Sequence, residues 1–252
     1  MKKSGIIVLC IVLLIIPMMG CVSVSFGGVN SGLGAGVTGR GSLEIFSFEN
    51  MGEIREIRVS ILCNIEHFTT PSDIVTLEIQ PNLIDYITVT ESNGILEVRS
   101  NRSINWSSGS NIPILTIGSD VLSRVVLTGA GTFTAHDIIE VDTFDIEISG
   151  AANGQADLNV NSVNVRISGA GDVRLSGRAD RADLTLAGAG RLEALELQTA
   201  VAFVNLAGAG TVRLSCSEHL TIVADGVGTV EYRGSPRRDI SRSGLVSIRN
   251  ID

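Results

Sequence analysis

A short glycine-rich motif recurs six times between residues 127 and 230, and it limits the possible folds more than any other feature of the sequence. The copies read LTGAGTF, ISGAANG, ISGAGDV, LAGAGRL, LAGAGTV and ADGVGTV, and their first glycines are 21, 19, 19, 20 and 18 residues apart. A fixed period near 20 residues is typical of repeat proteins, in which each unit stacks on the next. We therefore expect stacked, similar units over this stretch.

Apolar and polar residues alternate on both sides of each motif. In the fourth copy, Leu184 and Leu186 flank Thr185 before the first glycine, and Leu192 and Ala194 follow it with one residue between them. This period of two predicts β-strands with one buried face and does not fit a helix. Since a two-strand unit of about 19 residues cannot bury its own apolar face, we predict an all-β parallel β-helix. With parallel strands about 4.8 Å apart, six coils form a rod about 25–30 Å long.

The glycines of the motif have a steric role in such a fold. Glycine tolerates a positive φ, and glycine or alanine lets the backbone of one coil approach the next closely. The turn glycines predicted on this basis are Gly129, Gly131, Gly150, Gly169, Gly171, Gly188, Gly190, Gly208, Gly210, Gly226 and Gly228. The alternative fold is a β-sandwich with glycine-rich hairpins, which does not need the same tripeptide at every corner.

Three stretches resemble the bacterial head GIN domain (DUF2807), also called the auto-transporter adhesin head domain: the repeated S/T/A-G-A-G motif, ILTIGSDVLSRVVLTGAG at 114–131 and VEYRGSP at 230–236. The resemblance runs from about residue 43 to the C-terminus. It implies a single-stranded right-handed parallel β-helix, a cell-envelope location and no established catalytic activity. The chain departs from the pattern at Ala152, which replaces a motif glycine, and at Cys216, which stands at the turn position that Gly177 holds two repeats earlier.

The first 20 residues have the features of a secretory signal peptide. Two lysines follow Met1, an apolar run extends from residue 5 to 19, and Gly20 precedes Cys21. The run is shorter than the roughly 20 apolar residues of a membrane-spanning helix. Because a cysteine after a small residue resembles a bacterial lipobox, we predict that Cys21 becomes the acylated N-terminus and anchors the protein to a membrane, preferably the outer membrane. Ordinary signal cleavage, giving a periplasmic or secreted protein, is the alternative.

Three segments follow the signal peptide. Residues 21–42 are predicted to be a flexible tether, because seven glycines lie between Gly27 and Gly41 and the segment has no carboxylate. Residues 43–113 alternate like strands but lack the G-A-G turn, so we expect irregular first coils or an N-terminal β cap over the open end of the solenoid. Residues 114–252 are predicted to form the G-A-G β-helix, and residues 43–252 together make one domain.

The chain from Cys21 onward is acidic. It has 17 arginines, no lysine and 27 carboxylates, a net charge of −10. Such a charge opposes binding to nucleic acid or anionic lipid by long-range attraction, so we expect no nucleic-acid partner and a membrane anchor that depends on the lipid. Of the remaining cysteines, Cys63 and Cys216 are expected to lie apart as separate thiols.

The sequence has no recognisable catalytic or metal-binding motif. His67, His136 and His219 are scattered without a partner at zinc-ligand spacing, and the last two are expected in solvated turns. The sequence GAGVTG at 34–39 lacks the strand and helix that a dinucleotide-binding loop needs. We therefore predict no catalytic residues, no metal site, no cofactor and a non-enzymatic protein.

Outward-facing polar residues are the best candidates for a ligand site. The register predicts one column of Asp145, Asn164 and Asp183, and a second column in which Glu147 and Arg166 form an opposite-charge pair. Asp145 and Asp183 are expected roughly 9–10 Å apart, a spacing at which a ligand, a calcium ion or an acid–base pair could be held, although a solvated polar ladder is the simpler interpretation.

Aromatic side chains are the other candidates for a ligand site, because exposed aromatics often bind sugars. Phe133 and Tyr232 stand at predicted core positions. Trp106, in a polar loop, is either an exposed platform or a plug of the cap.

These features predict an exported envelope protein with a rigid surface for an unknown protein or glycan ligand, or for envelope scaffolding. Two alternatives stay open. A polysaccharide-active enzyme would use Asp145 and Asp183 beside a groove, and a self-association module would use an uncovered apolar edge.

Overall fold

The computed structural model describes residues 36–106 and 111–252. Its N-terminal strands are β1 (Val37–Thr38), β2 (Glu44–Phe48), β3 (Glu56–Val59), β4 (Asn64–Phe68), β5 (Val75–Ile79), β6 (Ile87–Ser92), β7 (Ile95–Ser100), β8 (Ile104–Asn105) and β9 (Ile114–Gly118), with a 3-10 helix at Pro81–Tyr86. The later strands are β10 (Arg124–Leu127), β11 (Ala130–Ala135), β12 (Thr143–Ile148), β13 (Ala151–Ile167), β14 (Ala170–Leu186), β15 (Ala189–Leu206), β16 (Ala209–Ala224), β17 (Val227–Arg233), β18 (Arg237–Arg242) and β19 (Leu245–Asn250). Nothing helical in these ranges has the length and apolar character to cross a membrane.

Successive coils pair in parallel and form a β-solenoid of about seven turns, which confirms the predicted parallel β-helix. Equivalent residues stack directly, as in the inward column of Leu127, Ile148, Ile167, Leu186 and Leu206. Each of these side chains is at most 4% exposed. Burying one such side chain contributes roughly 1.5–3 kcal/mol, so the stacked columns are the main source of stability.

The spatial order of the coils differs from the chain order at the N-terminal end. β3 and β4 pair in parallel with β10 and β11 of the first G-A-G coil, and on their other side with β7 and β9. β2, β5 and β6 then add antiparallel pairings and cover that end. The change from cap to repeating coil therefore does not fall at a single point in the sequence.

The last residues of the predicted tether belong to the folded unit, which begins at Gly36. β1 pairs in parallel with β8. The Arg40 backbone N–H donates to Asn82 Oδ1 over 2.8 Å, and Asn82 Nδ2 donates to the Thr38 carbonyl over 3.0 Å. Residues 36–40 are therefore held by backbone and side-chain hydrogen bonds, which the glycine-rich composition did not reveal. The predicted signal peptide and Cys21 lie outside the described residues.

Each predicted turn glycine lies directly against the backbone of the preceding coil. A Cβ atom on Gly188 would lie 1.9 Å from the Gly169 carbonyl oxygen, and one on Gly190 would lie 1.9 Å from that of Gly171. At the other predicted turn glycines the nearest backbone oxygen is at most 2.1 Å away. Gly190 also has a φ of +147°, which side chains with a Cβ rarely adopt. The repeated motif thus reflects close backbone contact between coils.

Two sequence departures from the motif have local explanations. Ala152 does not have a positive φ, and its methyl group is buried at 3% exposure, so this coil accepts alanine. Cys216 was expected at the position that Gly177 holds two repeats earlier. This was wrong, because Cys216 pairs with Thr199, and Thr199 pairs with Ala179 and not with Gly177. Irregular pairing in β15 and its neighbours shifts the register.

The two described cysteines are free and buried, as expected for separate thiols. Burial raises the pKa of the Cys63 thiol to about 12 and also raises the pKa of Cys216. Both are therefore uncharged at neutral pH.

His67 is a buried histidine beside the aromatic part of the core. Its side chain is fully buried, its ring centroid lies 6.2 Å from that of Phe133, and its Nε2 lies 2.7 Å from the Ser119 carbonyl oxygen. His67 Nδ1 has no hydrogen-bond partner in the described part of the chain. Burial lowers the pKa of His67 below its ordinary value of 6.5, against the opposing effect of the Ser119 contact.

Stability should therefore decrease as the pH falls below about 6.5. Between the lowered folded pKa and the unfolded pKa, only the unfolded chain carries the His67 proton, so acidification favours unfolding by up to about 1.4 kcal/mol per pH unit. The loss of stability begins as the pH falls through the pKa of His67 in the unfolded chain, and it stops below the pKa of His67 in the folded protein. Thermal melts from pH 7.5 to 5 should show a shallower slope for His67→Gln than for the wild type. His219→Gln, which removes a partly exposed histidine, is the control, and equal slopes for wild type and His67→Gln would contradict the assignment.

Candidate binding face

One outward face of the β-helix contains a groove with a volume of about 510 Å³. The groove crosses β10, β12, β13, β14 and β15 on the strand segments that precede the G-A-G turns. It is lined by Arg124, Asp145, Ile146, Glu147, Asn164, Val165, Arg166, Arg181, Asp183, Thr185 and Phe203. We call this surface the binding face.

The register of the strands brings the polar residues of the groove together. Arg124, Asp145, Asn164, Asp183 and Phe203 succeed one another in one outward column. The predicted order of Asp145, Asn164 and Asp183 is therefore present. Because neighbouring strands lie about 4.8 Å apart, each side chain has its neighbours one coil above and below.

Arg124 is the electrostatic centre of one end of the groove. Its Nη2 lies 2.9 Å from Glu147 Oε2, its Nη1 lies 3.5 Å from Asp145 Oδ2, and its Nε lies 3.5 Å from Glu56 Oε1. Glu147 and Arg166 are neighbours in the register, as predicted, but the predicted ion pair is wrong, because Glu147 turns to Arg124 of the preceding coil, where one guanidinium contacts three carboxylates. A single arginine thus links three successive coils.

The two aspartates proposed from the sequence are each held by their own partner. Asp145 Oδ1 accepts a hydrogen bond from Asn164 Nδ2 over 2.6 Å. Asp183 accepts two from Arg181, from Nε at 3.1 Å and from Nη2 at 2.9 Å. Bidentate contacts of this kind fix the orientation of both groups. Donors and acceptors in the groove are therefore oriented before any ligand arrives.

The lining of the groove is rich in polar groups. It contains no histidine, cysteine, serine or lysine, and its acidic groups are Asp145, Glu147 and Asp183. Across residues 36–106 and 111–252, no three His, Cys, Asp or Glu side chains are grouped so that they could hold a metal ion. What the groove offers is carboxylate and amide oxygens, guanidinium N–H groups and one aromatic ring.

Phe203 is a groove residue that the sequence analysis missed, as are Arg124 and Arg181. It is half-buried, lies on the outward side next to Asp183 in the register, and lines the groove. Its alternation with buried Ala202 and Val204 was the available signal, since it places Phe203 on the outward side. An aromatic ring beside oriented polar groups is a common feature of ligand sites.

A second outward face, on the strand segments after the G-A-G turns, carries an ion-pair ladder. Arg213 lies 3.2 Å from Glu193 and 2.7 Å from Glu231, and Glu231 also pairs with Arg249. The hydrogen bond from Arg213 lowers the pKa of Glu231. We call this surface the ladder face.

A family model described as "Putative auto-transporter adhesin, head GIN domain" matches residues 55–236. The chain belongs to the head GIN domain family. The matched part of this head GIN domain extends from β3 to β17 and includes every residue of the groove. No protein of curated function matches the chain.

Solved structures share the fold of this head GIN domain. A protein from Bacteroides fragilis, described as a putative adhesin, is 24% identical with a TM-score of 0.79, over 86% of this chain and 100% of its own. A protein from Parabacteroides distasonis, described as a putative lipid binding protein, is 18% identical with a TM-score of 0.68, over 86% and 100%. One from Parabacteroides merdae, described as a putative adhesin, is 16% identical with a TM-score of 0.61, over 86% and 99%. At these identities the similarity establishes the fold alone.

The other candidate residues of the head GIN domain lie outside the groove. Trp106 is half-buried and packs against the core, the second of the two expected positions. His136 follows β11 in a turn and stacks on Phe68, with ring centroids 4.6 Å apart. His219 was expected in a turn but lies within β16, where its Nε2 is 3.1 Å from Asp239 Oδ2. The longer β16 strand continues through the segment that was counted as a turn.

Proposed function

We propose that this head GIN domain is a non-enzymatic adhesion module of the cell envelope, held to a membrane by an acylated Cys21, and that the binding face holds a glycan. The observation that carries the proposal is the groove itself, in which a half-buried Phe203 lies beside carboxylate, amide and guanidinium groups already oriented by their neighbours. Sugars present both hydroxyl groups and apolar C–H faces, which suits such a lining.

The stiffness of the scaffold supports an adhesive role. Strands on either side of the groove are fixed by continuous parallel pairing, and the turn glycines lock the spacing of the coils. A ligand that binds a preformed groove loses less free energy to ordering the protein. The family description and the relatives described as adhesins agree with this role.

The envelope location is supported by the N-terminal sequence. Lys2 and Lys3, the following apolar run and the Gly20-Cys21 pair have the features of an exported lipoprotein. Several acyl chains on one residue hold a protein at a membrane far more stably than a single chain does.

Anchoring is tested by radiolabelled palmitate and protease shaving of whole cells. We expect globomycin-sensitive label in the wild type, none in Cys21→Ser, and loss of the wild-type protein on shaving. Wild-type protein that takes up no label would contradict acylation, and labelled protein resistant to shaving would place the domain away from the cell surface.

Ligand binding is tested by glycan-array screening and by adhesion of cells that display the protein. Thr185→Arg places a large side chain in the groove of the binding face, and Phe203→Ser removes the aromatic ring of the groove. We expect each to reduce adhesion at least tenfold, which corresponds to about 1.4 kcal/mol. Thr211→Arg on the ladder face is the matched control, because Thr211 is also a half-buried outward threonine of a central strand.

Two results would count against this part of the proposal. Equal losses of adhesion in Thr185→Arg and Thr211→Arg would show that the groove is not the site. Adhesion that needs the groove but is abolished by protease treatment of the target surface, and unaffected by glycosidases, would replace the glycan by a protein ligand.

A further inference from the structure

The two ends of the β-helix are closed differently. At the N-terminal end, antiparallel strands cover the coils. At the C-terminal end, β18 pairs only with β16 and β19 only with β17 in the described residues. Each of these two last strands therefore presents one unpaired edge, and we call the surface formed by residues 233–252 and Val227 the C-terminal tip.

The charge of the C-terminal tip is opposite to that of the whole chain. Residues 233–252 contain five arginines and two aspartates, a side-chain charge of +3, whereas the whole chain has a net charge of −8. Within the described ranges, Arg237, Arg238 and Arg242 have no carboxylate oxygen within 4.0 Å. Their charge is therefore available to an anionic partner.

Two of these arginines lie over the open end of the core. Arg238 and Arg242 continue the inward columns of Leu220 and Ala224. Arg238 Nη1 donates to the Tyr232 hydroxyl over 2.7 Å, and Arg242 Nη1 donates to the Val246 carbonyl over 3.0 Å. Each guanidinium has five N–H donors, so most of them remain free to bind phosphate groups.

Apolar side chains are exposed among the arginines. Leu245 is 81% exposed, Val227 is 56% exposed and Ile240 is 47% exposed, and Leu245 pairs with Val227 in the ladder. The equivalent outward position in five earlier G-A-G coils is alanine, at 130, 151, 170, 189 and 209. Within the G-A-G coils, large apolar residues at this position thus begin only at the tip.

We propose that the C-terminal tip docks on an anionic lipid bilayer. The free guanidinium groups would bind lipid phosphates while Leu245 and Val227 enter the headgroup region, the combination by which proteins bind a membrane interface. The acidic remainder of the chain is repelled by the same surface, so the rod would stand on its tip. The net charge of the sequence led to the opposite expectation because it averages over this asymmetry.

A second copy of the chain is a less suitable occupant. Pairing two tips about a two-fold axis would bring Arg237, Arg238 and Arg242 of one copy close to those of the other. Charged residues on an edge strand are a common protection against such pairing. A soluble polyanion would satisfy the arginines but not the exposed leucine.

The test is flotation of the chain from residue 21 onward carrying Cys21→Ser, which has neither the predicted signal peptide nor an acyl chain, with phosphatidylcholine vesicles that contain or lack phosphatidylglycerol. We expect binding only to the anionic vesicles and a decrease with salt. Each basic residue near such a surface contributes about fivefold, so the charge reversal Arg237→Glu should weaken binding at least tenfold, and Leu245→Ser several-fold. Arg178→Glu and Ile138→Ser, at exposed positions outside the tip, are the matched controls and should have little effect.

Three kinds of outcome would overturn the proposal. The first is binding without the expected selectivity, either equal binding to both kinds of vesicle or an equal loss of binding in the tip and control variants. The second is a concentration-dependent doubling of mass that Leu245→Ser reverses, without vesicle binding, which would assign the tip to a second copy. The third is binding of polyphosphate without vesicle binding. Thr185→Arg should leave flotation unchanged, so failure here is distinct from failure of the adhesion proposal.

Discussion

Replacing Gly188 by alanine or valine is expected to lower the free energy of unfolding by at least about 3 kcal/mol, and for valine to prevent folding. The added Cβ would lie 1.9 Å from the Gly169 carbonyl oxygen, far inside contact distance. Since that oxygen belongs to the backbone, relief would require the two coils to separate and lose paired hydrogen bonds. Soluble yield and thermal melts followed by circular dichroism measure the effect.

Gly154 provides the matched control for this prediction. It lies in another coil of the same β-helix, but a Cβ there would meet only the Val173 side chain at 3.6 Å, an ordinary contact. Gly154→Ala should therefore be tolerated, or increase stability by about 0.4–1 kcal/mol, because alanine lowers the conformational entropy of the unfolded chain. If Gly154→Ala and Gly188→Ala lowered stability equally, the carbonyl contact would not be the cause.

Phe133→Ala is expected to cost about 3–5 kcal/mol. Phe133 is fully buried, lies between Ile65 and Gly154 in its inward column, and has its ring centroid 6.4 Å from that of Phe144. On the Gly154 side, the ring has no large neighbour in that column that could fill the cavity after truncation. Chemical denaturation at pH 7.5 gives the free energy of unfolding.

Thr134→Ala is the control for the aromatic deletion. Thr134 is the next residue of the same strand, faces outward and is half-buried. Surface replacements away from special contacts usually change stability by less than about 0.5 kcal/mol. A loss of similar size in both variants would mean that strand pairing, and not the filled core, determines stability at this coil.

The repeating part of the fold could be predicted because one steric requirement recurs in every coil. At the first glycine of the motif, where a carbonyl oxygen of the preceding coil lies closest, only glycine fits, so the period of Gly150, Gly169 and Gly188 measures the length of a coil directly. The alternation on either side then fixes which side chains face inward. The column of Asp145, Asn164 and Asp183 followed from the same register.

The remaining features depend on contacts that no periodic signal encodes. The partner of Glu147 was missed because a long arginine can reach forward or backward along the stack, and here Arg124 of the preceding coil is better placed. The shift at Cys216 arises from irregular pairing around β15, which a linear count cannot detect. At the N-terminal end, the strands lack the G-A-G turn, so their spatial order was not available from the sequence.

The pairing of β3 and β4 with strands much later in the sequence determines when each coil can form. Thr69 and Asp137, which meet where β4 adjoins the first G-A-G coil, are 68 residues apart in sequence, whereas Asn164 and Asp145 in adjacent repeats are only 19 apart. Closing a longer loop costs more entropy and slows folding. During synthesis, β3 and β4 emerge early but have no neighbour on that side until β10 and β11 follow. Each later coil, in contrast, can pair with the preceding coil as soon as it is synthesised. The N-terminal strands β3 and β4 are therefore made first but complete their pairing only when β10 and β11 have been made.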